Sequence, residues 1–360
     1  MRLTANGPKV GMFANEGQNK SFPGVKKDKL VPKKDGETQE LHVGESSDDA
    51  DDINNITEEE EQAKNAAADA FIEREAEEGA VLLKNDNNAL PLTADEIKSV
   101  SLFGRATVDP MFKSQSGGGE GGMGTTVNYL QALDEQGFEY NQTLIDAYNN
   151  DTSARTSYDH IGESARSIYT NAVLNSFADT DVAIVMLSRM AGESHDLLTS
   201  YTDSDGQTIG MLELSKNERD MFSLVKQYKD NGTFKKVIVL LNTSNAMEVD
   251  WLDEYGVDAC MWIGGPGRNT GFRGVADLLT GDANPSGRLT DTYATSSFSA
   301  PAMQNFGDIK YTNGSGNYVA YAEGIYIGYR YYETRYEATL TGQGNAHSSA
   351  RVHASHGTRR

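Results

Sequence analysis

The stretch VAIVMLSRMAGESHD, residues 182–196, gives the strongest indication of the fold. Its first six residues form a continuous apolar run of strand length, and a polar segment containing glycine follows at once. A run that is apolar at every position is typical of a parallel strand buried on both faces. In open sheets of such strands, ligands bind beyond the carboxyl ends. The stretch therefore predicts a central parallel strand whose following loop borders a cleft.

Further apolar runs occur along the chain, and helix-like segments separate them. The runs are Ala80–Leu83, Val100–Phe103, Val237–Leu241 and Val257–Ile263, and the helix-like segments are Thr126–Gln136, Ala165–Phe177, Lys216–Tyr228 and Thr270–Leu279. Strands that alternate with helices predict an α/β fold, a mostly parallel sheet sandwiched between helices. Another helix is expected over Glu61–Glu78, with Gly79 as its C-terminal stop.

The composition changes at both ends of the chain. Residues 1–60 are polar and contain an acidic run from Glu45 to Glu61, and the end of the chain is small, polar and basic. Segments so poor in apolar residues bury too little surface to offset the loss of chain entropy. We therefore expect a disordered acidic arm over residues 1–60, the α/β domain over 61–337 and a disordered polar tail over 338–360.

The charge and the apolar pattern limit the partners. The chain carries a formal net charge of −21, so nucleic acid and anionic membranes repel it, whereas a neutral sugar is not repelled. Residues 1–30 hold no apolar run long enough for a signal-peptide core, and no segment approaches the length of a membrane span. We expect a cytoplasmic protein with neither nucleic acid nor membrane among its partners. The single cysteine, Cys260, is expected to be a small buried hydrophobic residue.

Glu193 is the candidate catalytic residue. It follows the strand at 182–187 on a loop, and Gly192 before it lets the backbone turn sharply. A carboxylate at the carboxyl end of a central strand can project into the cleft. From position alone, a solvated surface glutamate is the commoner outcome for such a residue.

Several motifs resemble, in the same order, those of glycoside hydrolase family 3, a family of β-glucosidases. They are EAEEGAVLLKN with ALPL (75–85 and 89–92), SRMAGESHD (188–196), GDANPSGRL (281–289) and EGIYIGYRYY (323–332). The resemblance covers about residues 61–337 and implies the α/β sandwich domain of that family. The residues after Gly264–Gly267, Arg268-Asn269-Thr270, are closest to the subgroup in which the sandwich precedes the barrel. The resemblance also implies a function: hydrolysis of terminal β-linked glucose or a similar sugar, with retention of the anomeric configuration. It implies neither a metal nor an organic cofactor.

In this resemblance, Glu193 matches the catalytic acid/base. A retaining glycosidase needs two carboxyl groups about 5 Å apart, and the second is the nucleophile. In the family the nucleophile is an aspartate, followed by tryptophan, on a separate (β/α)8 barrel. The pair Asp250-Trp251 is expected to serve packing instead, because it lies in a helix-like stretch between two strands. A barrel needs about 250 residues, so we expect this chain to carry only the acid/base half of the site, with little activity alone.

Candidate substrate-binding residues are Arg189, His195, Asp196 and Ser116. The first three flank Glu193, where they can pair with a carboxylate, tune the acid or bind a sugar hydroxyl. Ser116 opens a glycine-rich loop that suits the rim of a sugar site. Further tyrosines are expected to lie mostly in the core, because alternation in a strand turns some of them inward. These are Tyr326, Tyr329, Tyr331 and Tyr332.

Two other functions remain open. A chain without the barrel fits a non-catalytic carbohydrate-binding or assembly module. The motif GEGGMG, residues 119–124, fits the G-x-G-x-x-G fingerprint of a nucleotide-binding α/β protein. Against this, the preceding apolar run ends near Phe103, well upstream, and Glu120 would place negative charge close to a pyrophosphate.

Overall fold

The computed structural model describes residues 57–112, 126–152, 156–157, 159–192, 197–267, 269–303, 306, 310, 314–316, 318, 321 and 323–340. The chain divides into two units, residues 1–66 and 67–360. The described part of the first unit is helical from Glu58. Its N-terminus carries a capping box, in which Thr57 and Glu60 accept hydrogen bonds from each other's backbone N–H groups. The expected N-terminal arm and C-terminal tail lie almost wholly outside the described residues.

A mostly parallel sheet forms the centre of the second unit. Its strands are β1 (Val81–Asn85), β2 (Val100–Phe103), β3 (Val182–Arg189), β6 (Lys236–Thr243) and β7 (Ala259–Trp262), and a separate hairpin contains β4 (Tyr201–Thr202) and β5 (Thr208–Ile209). The order across the sheet is β1-β7-β6-β3-β2. All neighbours are parallel except β1, which pairs antiparallel with β7 at one edge. The predicted α/β class is confirmed, and β3 is an interior strand with parallel neighbours on both sides, next to the middle strand β6.

Eight α-helices occur among the described residues, one before the first strand, one near the end and the others between or after the strands. They are α1 (Glu58–Gly79), α2 (Tyr129–Glu135), α3 (Gln142–Asn150), α4 (Asn171–Ser176), α5 (Lys216–Asp230), α6 (Trp251–Glu254), α7 (Gly271–Thr280) and α8 (Tyr329–Leu340). The helix expected over Ala165–Phe177 is shorter, because the Thr170 side chain caps a new helix start at Asn171. None of the described helices is long and apolar enough to cross a membrane.

The two faces of β3 pack into two separate apolar clusters. Ile184 and Met186 belong to the cluster that includes Phe272 of α7. Val185 and Leu187 point the other way, into the cluster with Phe222 of α5. Burying one such side chain contributes roughly 1.5–3 kcal/mol, so both faces stabilise the strand. Cys260 is buried in the second cluster, as expected, and burial raises the pKa of its thiol.

The tyrosine-rich segment differs from the expectation. Residues from Tyr329 form the helix α8 and not a strand, so neighbouring side chains no longer alternate between two faces. Tyr332 is buried, with its hydroxyl 3.2 Å from that of Ser299. Tyr326 and Tyr329 are 45% and 63% exposed. The prediction that these tyrosines lie mainly in the core is therefore wrong for Tyr326 and Tyr329.

The close approach of β2 and β3 generates a stability prediction. Gly104 follows β2 with a φ of 92°, and a Cβ there would collide with the backbone carbonyl of Met186. Gly104→Ala should lower the free energy of unfolding by about 3 kcal/mol, because strand contact and backbone strain both oppose it. Gly206→Ala is the matched control, since φ is 80° and nothing lies within 4 Å of its added Cβ. It should cost only about 1 kcal/mol. Urea denaturation measures both, and equal losses would rule out the strand contact as the cause.

Candidate functional site

The three parallel strands β3, β6 and β7 end at the same edge of the sheet. Arg189, the last residue of β3, pairs in register with Thr243, and Leu241 pairs with Trp262 of β7. The loop after β3 is described to Gly192 and again from Leu197. Glu193, His195 and Asp196 lie between these positions, outside the described residues, and so does Ser116. The structure therefore describes the strand ends that border the predicted site, but not these four predicted site residues.

Arg189 closes the central strand with a completely buried guanidinium group. Its Nη1 and Nη2 atoms donate to the two carboxylate oxygens of Glu218, each at 2.7 Å. The remaining N–H groups donate to the carbonyls of Ser188, Met211 and Glu213 at 2.7–2.9 Å. A guanidinium carries five N–H donors, so every one of them has an acceptor. The charge of Arg189 is thus paired inside the protein and its exposure is 0%, so a contact of Arg189 with substrate stays a prediction that this arrangement does not favour.

The direction of the Arg189 side chain follows from the period of the strand. Alternate residues of a strand point to the same face, so Arg189 continues the row that contains Val185 and Leu187. That row faces α5, and Glu218 lies in the first turn of α5. Glu218 also accepts from the backbone N–H of Ser215 at 2.7 Å, within a capping box. One carboxylate thus caps the helix and neutralises the buried arginine.

Asn242 performs the corresponding function on the opposite face. Its Oδ1 accepts from the Ser188 hydroxyl at 2.8 Å and from the Met111 backbone N–H at 2.6 Å. Its Nδ2 donates to the carbonyls of Met111 at 2.8 Å and Gly264 at 2.6 Å. This single buried amide joins the ends of β3 and β6 to the segment after β7 and to the loop after β2. The backbone at the edge is therefore fixed on both faces of the sheet.

A second buried carboxyl group, Glu163, lies beside this edge. It accepts from the backbone N–H groups of Arg105 and Ser164, both at 2.9 Å, and its own carbonyl accepts from the Asn217 side chain at 2.9 Å. Burial raises the pKa of Glu163 to about 8, and the negative charge of Glu218 adds to this. The backbone hydrogen bonds act in the opposite direction but are outweighed. Glu163 connects the turn after β2 with α5.

Of the Asp250-Trp251 pair, Trp251 has the packing function expected for it, whereas Asp250 is exposed. Trp251 is buried, and its ring lies 4.7 Å from that of Phe222, centroid to centroid. Its indole N–H donates to the carbonyl of Glu248 at 2.6 Å. The tryptophan thus seats α6 against α5.

Sequence reasoning missed the polar residues that hold the edge. Glu218 had a visible signal, since Ser215 and Glu218 have the spacing of a capping box. Asn242 is a polar residue at the end of an otherwise apolar run, which in a buried strand requires hydrogen-bond partners. Glu163 gave no such signal, because its burial depends on packing between segments distant in sequence.

A doubly covered, mostly parallel sheet with a glutamate-bearing loop after its central strand defines the class of protein, an α/β sandwich domain. The family model for the glycosyl hydrolase family 3 C-terminal domain matches residues 80–329. The chain therefore belongs to this family.

Curated relatives and solved structures agree with this assignment. The chain is similar to a β-glucosidase of Ruminococcus albus, with 31% identity, over 73% of this chain and 26% of that protein. β-Glucosidase A of Butyrivibrio fibrisolvens is 30% identical over 71% of this chain and 31% of its own length. The structure of β-glucosidase 3B from Thermotoga neapolitana in complex with glucose matches with a TM-score of 0.58 and 26% identity, over 73% of this chain and 35% of that one. The chain thus spans about a quarter to a third of these relatives.

The buried ion pair generates a stability prediction. Arg189→Met should lower the free energy of unfolding by about 3–5 kcal/mol, because it leaves the Glu218 carboxylate buried without its cation. Lys226→Met is the matched control, since Lys226 and Asp230 form an exposed pair on the same helix. That change should cost less than about 1 kcal/mol. Chemical denaturation of both variants decides the point, and a similar loss for both would contradict a dominant role of the buried pair.

The raised pKa of Glu163 generates a prediction on pH. Its folded-state pKa of about 8 exceeds the ordinary 4.5, so the folded state binds more protons between these values. The contribution of Glu163 to stability is thus present at low pH and is lost as pH rises toward 8, with a slope of at most about 1.4 kcal/mol per pH unit. Glu163→Gln should remove this slope, whatever its effect on the absolute stability. Denaturation curves from pH 5 to 8 measure it, and parallel pH profiles for the two proteins would refute the assignment.

Proposed function

We propose that this domain supplies the general acid/base of a retaining β-glucosidase, and that Glu193 is that residue. Family membership and the names of the relatives support the activity. The observation that carries the assignment of Glu193 is the fixed end of β3. Arg189 and Asn242 anchor the backbone on both faces, and Glu193 follows four residues after Arg189. Glu193 therefore follows closely on backbone that hydrogen bonds hold on both faces of the sheet.

In the proposed mechanism Glu193 acts twice. A nucleophilic carboxylate attacks the anomeric carbon while protonated Glu193 gives its proton to the leaving oxygen. Ionised Glu193 then takes a proton from the water that hydrolyses the glycosyl-enzyme intermediate. The first step requires a raised pKa, which a second carboxylate closing over Glu193 would produce. The chemistry needs neither metal nor organic cofactor.

The nucleophile, in this proposal, lies outside the 360 residues, on a (β/α)8 barrel. Asp250, which precedes the buried Trp251, is a poor candidate because it belongs to the segment that packs α6 on α5. The substrate is a terminal β-linked glucose or a similar sugar. A related structure contains glucose, and a neutral substrate is compatible with a net charge of −21.

The test uses a fusion in which residues 61–337 replace the matching region of the Ruminococcus albus relative. Glu193→Gln should reduce hydrolysis of cellobiose and alkyl glucosides by about 10²–10⁴-fold, because a poor leaving group requires a proton. Formation of the glycosyl-enzyme from 2,4-dinitrophenyl glucoside should fall far less. Steady-state and burst kinetics measure the two effects. An equal loss on both substrate types would indicate a binding or structural role, and no loss would remove Glu193 from the mechanism.

Two controls complete this experiment. Asp250→Asn should leave the fusion active, whereas an inactive Asp250→Asn variant that folds would make Asp250 the nucleophile. The 360-residue chain alone should show little hydrolysis. Glucose binding together with an inactive fusion would favour the non-catalytic carbohydrate-binding module over the enzyme.

A further inference from the structure

A cavity of about 450 Å³ lies at the carboxyl edge of the sheet, between the C-terminal half of α1 and the ends of β6 and β7. Ile72, Glu75 and Ala76 line it from α1, and Ser244 and Trp262 line it from the strand ends. Sites for small molecules have volumes of about 300–1,000 Å³, so the cavity has a suitable size. Of the described residues in the loop after β3, none lines this cavity.

A glycine-rich turn, residues 264–267, borders the cavity after β7. Gly264 has a φ of 59° and Gly267 a φ of 92°, a backbone conformation that residues with a Cβ seldom adopt. An added Cβ would lie 3.1 Å from the nearest ring atoms of Trp262 at the first position and 3.5 Å from Ile72 at the second. The lack of side chains at both positions therefore leaves space beside the ring and beside the helix.

Trp262 supplies an aromatic surface with a defined orientation. Its indole N–H donates to the carbonyl of Thr243 at 2.9 Å, so the polar atom of the ring is already used. The side chain is half-buried, and it lines the cavity. The face of an aromatic ring binds apolar surfaces and cations. Trp262 therefore suits either the C–H face of a sugar ring or a positively charged group.

The polar groups around the ring favour the sugar. Glu75 is exposed, and its carboxylate has neither a hydrogen bond nor an ion pair with another described residue. The backbone N–H groups of Gly264 and Gly265 have no acceptor among the described residues either. The exposed Ser244 hydroxyl can both donate and accept. A cation would use the acceptors alone and the carboxylate would repel an anion, whereas sugar hydroxyls can use the donors and the acceptors together.

We propose that this cavity is a second saccharide site, which binds one neutral pyranose ring. The apolar face of the ring lies on Trp262, and its hydroxyls bind Glu75, Ser244 and the glycine turn. The inference goes beyond the proposed function, because none of these groups belongs to the acid/base or to its loop. The site holds a sugar without cleaving it, since its described lining provides one carboxylate and retaining hydrolysis needs two.

The first experiment uses the fact that the chain contains only two tryptophans. In the chain labelled with 5-fluorotryptophan, methyl β-D-glucopyranoside should shift the fluorine-19 signal of Trp262 in a saturable manner. The signal of Trp251, which is buried against Phe222, should not move. The variant Trp251→Phe assigns the two signals. Tetramethylammonium chloride should leave both signals unchanged.

Two results of this titration would overturn the proposal. A shift of Trp262 with tetramethylammonium and none with the glucoside would make the cavity a cation site. The absence of any Trp262 shift with either compound would show that the cavity binds neither.

The second experiment measures the contribution of the carboxylate. Glu75→Gln should bind methyl β-D-glucopyranoside about tenfold more weakly, because a charge-assisted hydrogen bond is replaced by a neutral one. Glu78→Gln is the matched control, since Glu78 is exposed on the same helix and does not line the cavity. Both variants change the net charge equally, so a general effect of charge would appear in both. Equal affinities for Glu75→Gln and the unmodified chain would contradict the proposed contact.

A third measurement separates this inference from the proposed function. In Glu193→Gln the glucoside should shift Trp262 as in the unmodified chain, because the second site does not include Glu193. Loss of the shift in that variant would place the bound sugar at the catalytic segment and refute the second site. An active fusion together with no Trp262 shift would refute the second site alone. A Trp262 shift together with an inactive fusion would support the second site and refute the catalytic assignment.

Discussion

The buried ion pair between Arg189 and Glu218 is the constraint on which the carboxyl end of the sheet depends. Both side chains are almost completely removed from water, at 0% and 2% exposure. Two charges in such an environment lose their hydration, and only a full set of hydrogen bonds offsets that loss. Arg189 has this set because the carbonyls of Met211 and Glu213 and the start of α5 converge on it. Any conformation that moves one of these groups away leaves a buried donor unsatisfied.

The same edge is held on the other face by an uncharged residue. Ser188 and Arg189 are consecutive, so their side chains leave β3 in opposite directions. Ser188 reaches Asn242, whose amide group also binds Met111 and Gly264. A neutral hydrogen bond contributes only about 1 kcal/mol, but leaving a buried polar group without a partner costs about 1–3 kcal/mol. The positions of the backbone segments at this edge are therefore specified mainly by the penalty for losing these hydrogen bonds.

Much of the fold was predictable because apolar burial leaves a local signal. The run Val100–Phe103 is bounded by Ser99 and Gly104 and was predicted to the residue, and β3 was placed correctly in the interior of the sheet. The antiparallel pairing of β1 was not predicted, since a continuous apolar run does not encode the direction of its neighbour. The helix at Tyr329–Leu340 was taken as part of a strand, because tyrosines at short spacing fit either period.

The site was less predictable because its chemistry depends on partners that are distant in sequence. Arg189 was correctly placed next to the Glu193 loop, but nothing in its neighbourhood showed that Glu218 would bury it. The capping box at Ser215 predicts the start of α5, yet only the packing of α5 on β3 gives Glu218 its second role. Glu75 and Trp262 are likewise far apart in the sequence, and their position at one cavity follows from the fold alone.

A rigid edge has a specific value if the second carboxylate belongs to another domain, as proposed. Retaining hydrolysis requires the two carboxyl groups to lie about 5 Å apart, and an error of 1 Å in such a site can cost about 100-fold in rate. When the two groups belong to separate bodies, the spacing varies with the docking of the bodies and with the motion of each loop. Arg189 and Asn242 hold the backbone at the end of β3 in place, and Glu193 follows Arg189 by four residues. Burying Arg189 costs free energy because the arginine loses its hydration. In the proposed enzyme, this cost falls at the part of the domain where an error in position would most reduce catalysis.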